Sequence, residues 1–198
     1  MNMSMNMSTS IQWQWLSFDA LSREQLYALL LLRSEVFVVE QNCVFLDMDG
    51  LDSQALHLLG VRAAVGSAPY KAEPAQRAGD TEQSPLPHGG PATRTVTYAP
   101  ELVAYARCFP AGIAFAEASI GRVITKPAAR GGGLGHLLMA EAIRALQQHW
   151  GPQAIRIGAQ AHLKAFYQKH GFVDMGLPYD EDGIAHIEML RADSQESI

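Results

Sequence analysis

The stretch Val123-Ile124-Thr125-Lys126-Pro127-Ala128-Ala129-Arg130-Gly131-Gly132-Gly133-Leu134-Gly135-His136 runs from a β-branched segment through a proline turn and a glycine-dense loop into an apolar-periodic helix. That order predicts an anion cradle. Glycines let successive backbone N–H groups turn toward one point with no Cβ in the way. A helix beginning near Leu134 adds its unpaired N-terminal donors and the positive end of its dipole. A pyrophosphate suits such a loop.

The spacing excludes two common nucleotide loops. A dinucleotide fingerprint needs glycine at its sixth position, but counting from Gly131 gives His136 and counting from Gly133 gives Leu138. No acidic residue closes a strand about twenty positions on, where a ribose hydroxyl wants one. No Gly-Lys-Ser/Thr follows, so a Walker loop is excluded too. What remains is Arg130-x-x-Gly133-x-Gly135, or else a plain strand-to-helix turn with spare glycines.

Working outward, Ile120 to Thr125 reads as a strand, and Leu134 to about Trp150 as a helix with Leu134, Leu138, Ala142 and Leu146 on one face. Ala154 to Ala159 is a second strand. Ala161 to His170 is a shorter helix whose apolar face carries Leu163, Phe166, Tyr167 and His170, with Gly171 at the left-handed C-cap. Ile184 to Leu190 closes the sheet. Upstream, Trp13 to Phe18 alternates as an opening strand. Ser22-Arg23-Glu24-Gln25 then forms a capping box, with Leu21 and Leu26 placed for a hydrophobic staple. Leu26, Leu29, Leu30 and Arg33 share a helix face. After the acidic turn Asp47 to Asp52 come two more strands, Ala55 to Val61 and Leu102 to Cys108. Between those strands, residues 66–97 are dense in Pro, Gly, Ala and Ser with no period, and read as a flexible insert. The chain thus divides into a tail (1–10), one α/β domain (11–192) and a short C-terminal tail (193–198).

At 198 residues the chain can bury a sizeable core, with 48% hydrophobic and 18% charged residues and a formal charge of −5. Neither disorder nor a nucleic-acid footprint follows from that balance. Cys43 and Cys108 lack C-x-x-C spacing and read as two buried thiols in a reduced compartment. The first ten residues lack the features of a secretory leader, and no run of about 18 apolar residues marks a membrane span. A cytoplasmic protein without membrane or nucleic-acid partners is expected. The histidines show no ligand spacing, so no metal is implied.

The Arg130-x-x-Gly133-x-Gly135 loop resembles the acyl-CoA loop of the GNAT family of N-acetyltransferases. Ala154 to Ala161 followed by His162 to Phe172 resembles that family's second block, a strand and then a helix that holds Phe-Tyr and ends in Gly-Phe. Phe37 to Cys43, Leu102 to Arg107, Ile120 to Val123, Gly158 to Leu163 and Glu181 to Ile187 are together similar to its ElaA subgroup. The 66–97 insert departs from that likeness.

The resemblance implies an acyl-CoA N-acyltransferase fold, a mixed central sheet with flanking helices, splayed between the Ile120–Thr125 and Ala154–Ala159 strands where acyl-CoA wedges in. Backbone of Val123 and Thr125 then pairs with the pantetheine arm, while Arg130, Gly131, Gly133, Gly135 and His136 meet the pyrophosphate. The co-substrate implied is acetyl-CoA, and the acceptor is an amine, small or part of a basic peptide, attacking the thioester directly. An ammonium must first lose a proton. Glu40 is the preferred base and His186 the second choice, His186 also standing in a segment suited to substrate. The oxyanion finds a strand N–H near Val123 or Ile124. Tyr167 protonates the leaving thiolate. Arg33 and Arg122 either steer an anionic part of the substrate or pair with the acidic turn.

Two other readings stand beside this one. Arg33-x-x-x-Phe37-Val38 is also similar to the opening of acyl-homoserine-lactone synthases, which use longer acyl donors. A non-catalytic acyl-CoA sensor keeps the cradle without turnover. Exposed sheet edges make a homodimer reasonable.

Overall fold

The structure, a computed structural model, describes residues 10–63, 67–69, 95–97 and 100–193. Nearly all of both expected tails, and most of the 66–97 insert, lie outside the described residues.

Strand β1 (Ile11–Ser17) leads to helix α1 (Arg23–Arg33), which continues into a π-helical turn (Ser34–Glu40). Then come β2 (Leu56–Arg62), β3 (Ser67–Pro69), β4 (Thr95–Thr97), β5 (Glu101–Phe109), β6 (Ala118–Thr125), α2 (Leu134–Trp150), β7 (Ile155–Gln160), α3 (Lys164–Gln168), β8 (Val173–Glu181) and β9 (Ile184–Arg191). Seven strands form one sheet in the order β1-β2-β5-β6-β7-β9-β8. All neighbours are antiparallel except β6 and β7.

The capping box forms as read. Ser22 Oγ accepts from the Gln25 amide at 3.1 Å while Gln25 Oε1 accepts from the Ser22 amide at 2.8 Å. Strand alternation then sorts two cores onto opposite faces of the sheet. Leu59, Tyr105 and Ile124 pack with Leu29, Leu32 and Val36 of α1 and the π turn. Leu58, Ala104, Ala106 and Cys108 belong instead with Leu138, Met139, Ala142 and Leu146 of α2. Both cysteines are buried free thiols.

Three elements differ from the sequence reading. The ends of the insert are not loop, because Ser67–Pro69 pairs antiparallel with Thr95–Thr97. The Tyr167 helix is shorter than expected, since Ala161–Leu163 forms a 3-10 turn and only Lys164–Gln168 is α-helical. Strand β8 escapes the sequence pattern altogether. It is the outer strand, exposed along most of its length, with Gly176 at φ +71° and a register break between Asp174 and Pro178, so its alternating Val173, Met175, Leu177 and Tyr179 are interrupted by turn-forming residues.

A β-bulge decides the site. On β5–β6 the register passes from Tyr105↔Ile124 to Arg107↔Gly121, so β6 carries one extra residue there. Arg122, at that bulge, stands at φ +51°, a conformation that L side chains rarely adopt. A bulge bends its strand and sharpens the local twist. Beyond Ser119 the parallel pairing of β6 with β7 stops, leaving only Ala118↔Ile155 and Ser119↔Arg156 in register.

The strained arginine is held by an ionic cluster. Arg33, fully buried at the end of α1, donates from Nε to Asp47 Oδ2 and from Nη1 to Asp52 Oδ1, both at 2.7 Å. Arg107 donates to Asp49 and Asp52. Arg122 donates from Nε to Asp47 Oδ1 at 2.8 Å. These bonds pin the acidic 47–52 turn over β5 and β6. The Arg107 guanidinium holds the Asp49 carboxyl well below its usual range, and Asp52 is also lowered, against the opposing effect of its burial, by Arg33 and Arg107.

Both carboxyls therefore titrate lower in the folded chain than in the unfolded one. The cluster's stabilisation is complete above the ordinary aspartate value of 3.8 and is lost as the pH falls below it, which urea melts at stepped pH will show. Arg33→Met, which leaves Asp47 and Asp52 short of one buried partner, is expected to cost about 3 kcal/mol in the same melts at neutral pH.

Candidate functional site

Where β6 and β7 part, the sheet opens into a cleft of about 570 Å3. One wall is β6 from Ser119 to Thr125; the other carries Gly158, Gln160, Leu163, Phe166 and Tyr167. Strand β6 keeps its bonds to β5 on one side and has none from β7 past Ser119. Alternate peptide groups of Gly121 to Thr125 thus face the opening and need partners from elsewhere. The Thr125 carbonyl accepts from Arg130 Nε at 3.2 Å and from Arg130 Nη2 at 3.1 Å.

At the cleft's mouth the glycine loop enters α2. Gly131 lies at φ +94° and Gly133, the residue capping the helix, at φ +78°. A Cβ at either would meet nothing within 4 Å, so the backbone angle and not crowding calls for glycine. The first amide bonded back into the helix is that of His136, to the Gly133 carbonyl at 2.9 Å. The amides of Leu134 and Gly135 precede it and remain for a ligand. His136 Nδ1 lies 2.9 Å from His170 Nε2, and both rings pack on Phe166.

Arg130 and Glu40 meet across this mouth. The guanidinium gives one bond to each carboxylate oxygen, at 2.5 and 2.8 Å, and this pairing lowers the Glu40 pKa. A carboxylate so engaged has both oxygens occupied and a weakened appetite for protons. Tyr167 lies deeper, 7% exposed, with its ring edge-on to Phe166 and Phe172. Burial pushes its phenol up to about 12, so it carries its proton at neutral pH.

The wall opposite Glu40 is built by the β8–β9 hairpin. His186 on β9 is in register with Gln160 of β7 and Tyr179 of β8. Its ring stacks on Tyr179, centroids 5.4 Å apart. Burial and the nearby Glu181 and Glu188 raise the Tyr179 phenol to about 12. Tyr179 reaches over β7 because position 158 is glycine; a Cβ there would fall 2.2 Å from the tyrosine hydroxyl.

The cleft therefore gathers Val123, Thr125, Arg130, Gly135, Glu40, Tyr167 and His186 along one lining, with Gly131, Gly133 and His136 at the adjoining loop. Arg33 is not among them. Its guanidinium is enclosed by Asp47 and Asp52, so of its two sequence readings the structure shows the pairing with the acidic turn. Tyr179, Gln160 and the rings of Phe45, Phe109 and Phe115 also line the cleft and were not singled out from sequence. Gly158 was the available signal, a glycine inside a strand that marks a close approach.

A model described as the acetyltransferase (GNAT) domain matches residues 95–192. The protein ElaA of Escherichia coli is 38% identical over 183 residues, covering 91% of this chain and 96% of that one. The crystal structure of Escherichia coli ElaA superposes with a TM-score of 0.67, covering 92% of this chain and 99% of the other. An acyl-CoA N-acyltransferase from Pseudomonas aeruginosa is 35% identical with a TM-score of 0.69, covering 92% of this chain and all (100%) of the other. On its sheet opened at the β6–β7 seam, its glycine loop at the head of α2 and these relatives, the chain belongs to the GNAT acetyltransferase family.

Proposed function

We propose that the protein transfers an acetyl group from acetyl-CoA to a primary amine, by direct attack of the amine on the thioester. The observation that carries this reading is the buried, protonated Tyr167 on one wall of a cleft whose other wall is unpaired β6 backbone, with the glycine loop at its mouth. The pantetheine arm adds to β6 through main-chain bonds at Val123 and Thr125. Its pyrophosphate sits on Gly131, Gly133, Gly135 and His136 at the α2 N-terminus.

Arg130 adds its charge to that anion while keeping its pair with Glu40. Their pair is about two-fifths exposed on both sides, a setting in which an ion pair contributes under about 1 kcal/mol. A strand N–H near Val123 or Ile124 receives the oxyanion. The carbon–nitrogen bond forms, the carbon–sulfur bond breaks, and Tyr167 gives the departing thiolate its proton.

The Arg130-x-x-Gly133-x-Gly135 loop and the Tyr167 block favour the acetyl donor over the longer acyl chains used by acyl-homoserine-lactone synthases. The acceptor is a cationic amine, free or in a basic peptide. The arginines lining the cleft are matched by carboxylates, Arg107 and Arg122 by Asp47, Asp49 and Asp52, and Arg130 by Glu40, whereas Glu181 at the opening is half exposed.

Thermal shift with acetyl-CoA, CoA, a long-chain acyl-CoA and NADH tests the site. Ligand at a hundred times its Kd adds about 2.7 kcal/mol, several degrees for such a domain. Strongest stabilisation by acetyl-CoA, followed by amine-dependent thiol release, is expected. A response to NADH and to no CoA species overturns the reading. Tyr167→Phe is expected to lower kcat about 100-fold while leaving the acetyl-CoA Kd unchanged by calorimetry. Gly133→Val, forced toward a left-handed angle that costs about 1–2 kcal/mol, weakens CoA at least tenfold. His136→Ala changes the same titration by no more than about threefold, because the loop binds through its backbone.

A further inference from the structure

We propose that His186 and Glu181 form the receiving site for the acceptor's ammonium group, Glu181 pairing with it and His186 Nε2 taking its proton. This inference rests on the amine-acetylation reading above and goes beyond it in assigning the base. The decisive contact is on the far side of the imidazole. His186 Nδ1 lies 2.8 Å from the Ile184 carbonyl oxygen. A carbonyl only accepts, so Nδ1 carries the hydrogen, and in the neutral ring the lone pair is left on Nε2. The backbone of the same strand thereby fixes both the tautomer and the ring's direction.

Nε2 then faces Glu181 Oε2 at 3.7 Å, too far for a hydrogen bond between them. A nitrogen standing beside that line can lie at hydrogen-bond distance, about 2.8 Å, from both atoms. An ammonium has the hydrogens to serve the two acceptors at once. Both residues line the cleft that holds Tyr167.

The surroundings keep that pair available. Tyr179 of β8 stacks on the imidazole and its phenol, which keeps its proton at neutral pH, also interacts with the Glu181 carboxylate, leaving that carboxylate's remaining acceptor sites for the ammonium. Gln160 of β7, the register partner, is bonded through Nε2 to Gln41 Oε1 at 3.1 Å. Cys43 Sγ lies 3.4 Å from the Asp182 carbonyl, tying the segment after the π turn to the hairpin. Glu188, two residues along the same strand, is occupied by Arg156 at 2.7 Å. Across the cleft Glu40 is engaged by Arg130. Of the carboxylates around this wall, Glu181 faces the imidazole, Glu40 and Glu188 are each held by an arginine, and Asp182 lines the cleft next to Glu181.

The proton balance closes. The ammonium gives one proton to His186 Nε2, and the imidazolium so formed pairs with Glu181. The free amine attacks the thioester carbon, forming the carbon–nitrogen bond. On collapse the carbon–sulfur bond breaks, Tyr167 protonates the sulfur, and the amide nitrogen's remaining extra proton restores the Tyr167 phenol. His186 returns its proton to solvent before the next turnover.

The test uses the full-length protein, acetyl-CoA and a broad panel of primary amines that includes 2-phenylethylamine, with thiol release as the readout. The probe is whichever amine the wild type turns over fastest, and aniline, already neutral at pH 7, is the comparison. His186→Gln is expected to lower kcat/KM for the alkyl amine at neutral pH by about 100-fold or more and to move the rising limb of its pH profile up to the amine's own titration. Its acetyl-CoA Kd and melting temperature stay at wild-type values. Its defect with aniline, which has no proton to lose first, is at most about tenfold. Glu181→Gln raises the amine KM several-fold with kcat within about threefold of wild type. A His186→Gln enzyme whose rising limb stays where the wild type has it, or that is equally impaired with both amines, overturns the assignment alone. Wild-type protein that binds acetyl-CoA but releases no thiol with any amine overturns the acetyltransferase reading, and this assignment with it.

Discussion

The site depends on one residue held where an L-amino acid does not like to be. Arg122, at φ +51°, lets β6 take an extra residue against β5, and the bend that follows is where β6 leaves β7. The strain is borne by the ionic cluster, since the same guanidinium donates to Asp47. Asp47 is also bonded by Arg33 from α1. Helix α1, the acidic turn, β5 and the bulge are thereby fixed to one another through carboxylates with two cationic partners each. Desolvating so many charges is costly, and hydrophobic residues in their place can be as stable. The cluster's value here is positional, because it sets the angle at which the sheet opens.

Opening a sheet in its middle creates a binding surface from groups that ordinarily bind each other. The peptide edge of Gly121 to Thr125 lost its neighbour at the seam, and the glycine loop contributes the amides that precede the first helical bond of α2. Side chains are needed only where charge or protons move. Burial raises the Tyr167 phenol further above its ordinary value, and His186 is oriented because the Ile184 carbonyl fixes one of its nitrogens. Two different physical causes, desolvation and a single hydrogen bond, thus act on two side chains that line one cleft.

Much of this was legible in the order of residues. The cradle, α2 with its apolar face, the capping box and the strands of both cores all have strong periodicity or chemistry of their own. What the sequence concealed has weak local signals. Strand β8 alternates Val173, Met175, Leu177 and Tyr179 with Asp174, Gly176 and Pro178, but the glycine and proline in that run read as a turn, and its apolar residues stay exposed at the sheet edge. The bulge at Arg122 leaves no mark in composition, because arginine there is conditioned by aspartates some 73–75 positions away. Glu40 looked free in the sequence for the same reason; its partner Arg130 lies 90 residues on. Long-range ion pairs of this kind decide which charges can act, and no local pattern announces them.

The seam also divides the chain in sequence. Strands β1, β2, β5 and β6 come from the first 125 residues, and β7, β8 and β9 from residues 155–191, with two register pairs between the groups. Each group closes its own antiparallel ladder from neighbouring or near-neighbouring strands, and α2, packed on β5 and β6, shares one buried core with Ile155 and Ile157 of the other group. A ligand lying along the seam bridges both groups. Its binding suppresses their separation, so occupancy of the cleft is written into the slow opening of the whole molecule and not only into the residues it touches.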